Sequence, residues 1–227
     1  MRRTITGRLS IVVLGSVLGM APLATPAQAQ PVTLTDGHAD AIDVDSAGGS
    51  LTVQVLDGTG GGPVERDPAD VTFDVPGDAK VTVPGGCGGG WGFLGDPEDT
   101  VWVLPQDLTT ANNKDLLWLG WNTEEVASDV FEDDELTVEL VDVESTGSSD
   151  DFSVYTVNFF GCPSVVFDSG NGLPDTKPFG QDNHAHFNWA FEATGEYTVT
   201  VEVTGTLDGT TTEVRSGPVE LTFDVHN

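Results

Sequence analysis

Apolar and polar residues alternate with a period of two along most of this chain, and helical periodicity is nearly absent. Leu51–Leu56, Val71–Val75 and Lys80–Val83 carry the pattern in the first half, and Leu136–Val143, Phe152–Val157, Tyr197–Val203 and Val219–Val225 carry it in the second. Side chains two apart point to the same face of a strand, so such alternation predicts strands with one buried and one wet face. The segments are rich in Val and Thr and are separated by Gly, Pro and Asp turns, as strands and their connections should be. Asp208-Gly209 predicts a hairpin joining the last two long strands, and Asp57-Gly58 opens another turn. About ten strands in one domain predict an all-β fold, an antiparallel β-sandwich of immunoglobulin-like type.

The region from Gly85 to Asn122 breaks the pattern. Glycine-rich sequence is followed there by Trp91, Phe93, Trp102, Trp118 and Trp121, and the region reads as a Gly/Trp-rich insert. Trp102 and Trp118 have apolar neighbours on both sides and are expected in a core. Trp91 lies among glycines and Trp121 beside Asn122 and Glu124, so these two could form an aromatic platform for a ligand such as a sugar ring.

The first residues change the compartment. Arg2, Arg3 and Arg8 precede an apolar run, and Ala27-Gln28-Ala29 supplies a small-x-small cleavage site, so residues 1–29 read as a secretory signal peptide and 30–227 as a single β-sandwich domain. No later stretch reaches the roughly 20 apolar residues of a membrane span. The protein is expected to be secreted, extracellular and cell-surface associated without an anchor of its own. In an exported chain, Cys87 and Cys162 most simply form a disulfide, worth roughly 4 kcal/mol for a loop of this length. The alternative, a thiolate metal site, has no further ligand beside Cys87.

Loss of the leader leaves five basic residues, Arg66, Lys80, Lys114, Lys177 and Arg215, against 37 acids. Nucleic acid and anionic lipid demand a basic surface, so both are excluded as partners. Runs such as Glu132–Glu135 read as a solvated, salt-tolerant surface.

Four histidines remain to be placed. His184-Ala185-His186 is an i, i+2 pair, and Gly37-His38-Ala39-Asp40 holds a second pair of ligand types. In a strand, such pairs share a face about 6.6 Å apart. Two imidazoles can then converge on one ion at roughly 2.0–2.1 Å each, if the segments meet in space. His38, Asp40, His184 and His186 would make an N3O set suited to Zn²⁺, with another first-row transition metal as the less fitting guest. The bland reading is that these are ordinary strand residues hydrogen-bonded to neighbours. Asp36, Asp182, Asn183 and Asn188 are candidates to orient the rings from outside. His226 reads as frayed and incidental. Asp40, Asp43 and Asp45 followed by Gly48-Gly49 offer oxygen ligands for calcium, but the spacing is not that of an EF-hand. No nucleophile–base motif is present, and no enzyme is expected.

Taken in order, Gly37-His38-Ala39-Asp40, Phe93-Leu94-Gly95, Val101–Gln106, Leu117–Glu125, His184–Phe191 and Gly195-Glu196-Tyr197 resemble the actinobacterial surface-anchored protein domain of the choice-of-anchor M proteins. That resemblance spans the chain after the leader. It implies an extracellular role in metal acquisition beside a metal-type ABC importer, with the importer's binding protein as partner. The expectation from a different class is a structural or adhesion module whose Trp-rich insert contacts cell-wall glycan or a surface protein.

Overall fold

The computed structural model describes residues 31–227. The expected signal peptide lies outside the described residues. In chain order the strands are β1 (Val32–Leu34), β2 (Gly37–Ala47), β3 (Ser50–Asp57), β4 (Val64–Arg66), β5 (Val71–Val75), β6 (Lys80–Thr82), β7 (Thr100–Leu104), β8 (Leu117–Asn122) and β9 (Glu135–Ser145). They continue with β10 (Phe152–Val157), β11 (Pro163–Asp168), β12 (Asp175–Gly180), β13 (His184–His186), β14 (Asn188–Phe191), β15 (Gly195–Thr206), β16 (Glu213–Arg215) and β17 (Val219–Val225). The one α-helix among the described residues, α1 (Leu108–Lys114), is capped by the Asp107 side chain, which accepts from the Thr110 amide.

The fold is mostly β, as the alternation predicts. The described residues form three sheets, ordered β1-β5-β17-β15-β9-β12, β11-β10-β14-β7-β6 and β13-β8-β2-β3-β4, with β16 also paired to β15. The expected purely antiparallel pairing is not what forms: β1 with β5, β5 with β17, and β2 with β8 run parallel. The Asp208-Gly209 hairpin forms, but its returning arm is broken into β16 and β17, which pair with successive parts of β15.

The Gly/Trp-rich region is not an insert. β7 lies between β14 and β6, and β8 lies between β13 and β2, so both are interior strands. They escape the alternation because both of their faces are covered, so Leu117–Asn122 and Thr100–Leu104 read as continuous apolar runs. One face of the β11-to-β6 sheet packs Phe152, Trp189 and Phe191 around Phe223 of the largest sheet. Its other face is covered by the glycine-rich loop, where Val83, Trp91 and Leu94 cluster with Val101, Val103 and Tyr155. The Cys87–Cys162 disulfide ties that loop to the β10–β11 hairpin.

β13 and β14 are one run of chain that changes sheets at Phe187, whose ring is buried against Trp121. His184 and His186 therefore stand at the junction, on the edge strand of the β13-β8-β2 sheet.

Candidate metal centre

The site is built across three adjacent strands, with β8 in the middle. On one side β2 pairs His38 with Trp118 and Asp40 with Gly120; on the other β13 pairs His186 with Gly120 and His184 with Asn122. Neighbouring strands stand about 4.8 Å apart, so β2 and β13 are nearly 10 Å apart and their side chains must lean inward over β8 to meet. Gly120 permits this. A Cβ there would overlap Asp40 Oδ1 and would lie 3.0 Å from His186 Cε1 and 3.2 Å from the Ala185 carbonyl oxygen.

The four expected ligands do converge. One ligand atom from each of His38, Asp40, His184 and His186 lies within 4.8 Å of all the others. Asp40 Oδ1 is 2.7 Å from His184 Nε2 and 3.5 Å from His38 Nε2. The three imidazole centroids are 5.0–5.4 Å apart. Four atoms at about 2.0–2.1 Å from a tetrahedral ion stand about 3.3 Å from one another, so the group needs to contract by about 1.5 Å at its widest.

Satisfaction of polar groups points the same way. His38 Nε2, Asp40 Oδ2 and both ring nitrogens of His186 are buried with no hydrogen-bond partner. Buried polar atoms left unpaired cost about 1–3 kcal/mol each, and such orphans gathered at one point mark a place where a ligand completes the bonding. Burial first, then the neighbouring His184 and His38, push His186 down to about 4. Its imidazole is therefore neutral at neutral pH and keeps the lone pair a metal requires.

Access is from one side. Asp40 is fully buried at the base, whereas His38 and His184 remain 31% and 29% exposed. Trp118 forms a wall, stacked on His186 at 3.4 Å between centroids and 5° between planes, and its indole N–H donates to the Gln106 carbonyl. The Glu124 carboxylate stands 3.9 Å from His184 Nδ1.

Several expectations are corrected here. Asn188 does not orient a histidine: its Oδ1 accepts from the Gln106 amide and its Nδ2 donates to the Tyr155 carbonyl. Trp121 is buried among Phe167, Phe179 and Phe187, because odd positions of β8 face away from the site. Trp91 is packed against Tyr155 and Phe93 and shows only an edge, so the two indoles do not form an exposed platform. Trp118, expected in the core, belongs to the site. His226 is not frayed: its Nε2 is 2.8 Å from Asp74, and its carbonyl accepts from Trp102. Asp40 and Asp43 lie in β2 rather than in a calcium loop, and Asp43 accepts from Asn122. Trp118, Gly120 and Glu124 were not legible as site residues beforehand. The only trace is that 118, 120 and 122 share a strand face.

No helix among the described residues is long and apolar enough to cross a membrane. No protein-family model matches the chain, and neither a curated protein nor a solved structure matches it.

Proposed function

We propose that this chain is an extracellular metal-binding module that takes up one transition-metal ion, zinc by its ligand chemistry, and delivers it to the binding protein of a cell-surface ABC importer. The observation that carries the reading is the meeting of His38, Asp40, His184 and His186 from opposite ends of the sequence, with ligand atoms within 4.8 Å. Three imidazole nitrogens and one carboxylate oxygen suit Zn²⁺, which has no geometric preference of its own and accepts a tetrahedral N/O set. Hard ions such as Mg²⁺ and Ca²⁺ favour all-oxygen cages and six or more ligands.

Four protein ligands fill a tetrahedral shell, whereas catalytic zinc keeps a position open for water, so the ligand count supports binding over hydrolysis. The partly exposed rims of His38 and His184 leave the ion reachable by the ligands of a receiving protein. Delivery to an importer rests on the family resemblance, and ion capture rests on the site itself.

The test is calorimetric titration of residues 30–227 with zinc chloride. One ion per chain is expected to bind, and binding is expected to vanish in the His184→Ala, His186→Ala double variant. Undiminished binding in that variant removes the proposal.

A further inference from the structure

The most exposed large apolar side chains among the described residues are not near the metal centre. Phe159 and Phe160 are 97% and 85% exposed at the tip of the β10–β11 hairpin. The tip is held rigid: the Asn158 side chain accepts from the Phe160 and Cys162 amides, and Cys162 is tied to Cys87. The two rings stand edge to face, 5.7 Å apart. A pair of phenyl rings fixed outward on a braced turn loses little conformational entropy on docking, which favours a role in binding.

The segments that carry the tip and the neighbouring loop lack charge. Residues 152–167 and 81–95 contain no Asp, Glu, Lys or Arg, in a chain with 37 acids and a formal charge of −29. The disulfide joins these two segments, with Cα atoms 5.6 Å apart. Beside Cys87 lies a cleft of about 680 Å³, lined by Val83, Pro84, Trp91, Gly86, Gly88 and Gly89, with Asp96 and Asp99 contributing its only charges. Knob and cleft are therefore neighbours, joined through two charge-free segments, with the acids confined to the Asp96 and Asp99 side of the cleft.

We infer that this region is a self-association surface, in which the Phe159–Phe160 tip of one copy seats in the glycine-walled cleft of a second copy, and the reverse. Two copies of so acidic a chain repel one another over most of their surface, and the charge-free segments 152–167 and 81–95 are where they can approach. A phenylalanine presents about 200 Å², so the two rings offer roughly 350 Å² per copy. The two ring pairs together offer about 700 Å², so the contact is a small one, of the weak and reversible class rather than a permanent interface. Because knob and cleft are neighbours, both contacts of a two-fold pair can form at once, and such a pair closes on itself. With no charge pairs across it, the contact tightens as salt screens the repulsion between copies.

Sedimentation velocity and light scattering on residues 30–227 test the inference. A reversible dimer is expected, with a dissociation constant on the order of 1–100 µM that falls between low and high salt. Phe159→Ser with Phe160→Ser should weaken it at least tenfold while near-ultraviolet dichroism stays unchanged. Gly92→Arg, placed in open space at the cleft, should do the same without touching the tip. A chain that stays monomeric throughout, a dimer indifferent to either variant, or a monomer that sediments with phosphatidylcholine vesicles through its phenylalanines would each overturn the inference, the last in favour of a bilayer-seeking tip.

Discussion

Replacing Gly120 by Ala adds one methyl group at the floor of the metal centre. The new Cβ would overlap Asp40 Oδ1, and it would press on His186 Cε1 and the Ala185 carbonyl at 3.0 and 3.2 Å. The carbonyl belongs to the β13–β8 ladder, so the side chains must give way. To restore an ordinary contact of about 3.5 Å, the Asp40 carboxylate has to move by roughly 1 Å. Metal–ligand distances tolerate about ±0.2 Å, so the Asp40 bond is lost or badly lengthened. Zinc affinity should fall at least tenfold, and a hundredfold if His186 is displaced too. Without metal, the overpacking cost of about 1–3 kcal/mol is partly offset by the roughly 0.5–1 kcal/mol that Ala gains over Gly in a strand. The variant should thus remain folded and lose about 1–2 kcal/mol. Calorimetric titration beside urea denaturation separates the two effects. An affinity within threefold of the parent chain would refute the reasoning, since the gap at Gly120 would then not be what lets the ligands meet.

Two further outcomes follow from the described contacts. Replacing both Cys87 and Cys162 by Ser should lower the free energy of unfolding by about 2–4 kcal/mol, from the 75-residue separation that the bond closes; a loss under about 1 kcal/mol in urea would show that the reduced chain is already constrained there. Burial first, and the adjacent Asp151 second, raise Glu192 to about 7. With the folded-state value above the unfolded one, the native chain holds the extra proton, and stability falls as pH rises from about 4.5 through 7. Glu192→Gln should therefore raise Tm above pH 7, with the difference closing by about pH 4. A constant difference across that window would mean the carboxyl is not the origin.

Legibility of this chain in its sequence followed burial. β3, β5, β9, β15 and β17 each keep one face in the core, and the period-two alternation locates them. β7, β8 and β14 are covered on both faces, which erases the alternation and made two of them resemble an insert. β2 was obscured differently. Its buried positions include Asp40 and Asp43, which look like turn residues until their partners His184 and Asn122 are known. Parallel pairing leaves no local mark at all.

The site divides along the same line. His38 with Asp40 and His184 with His186 are local i, i+2 pairs, so each half was readable. That β8 runs between them is a non-local fact, and Trp118 and Gly120 acquire their meaning only from it. Trp121 is the instructive error. Its neighbours in sequence are polar, whereas the strand period turns it away from them into the core.

Zinc K-edge X-ray absorption on the metal-loaded chain addresses the central claim most directly. Three imidazoles and one carboxylate predict a four-coordinate nitrogen/oxygen shell at about 2.0–2.1 Å, with the outer scattering of imidazole rings and no sulfur. A six-coordinate all-oxygen shell without ring scattering would contradict it.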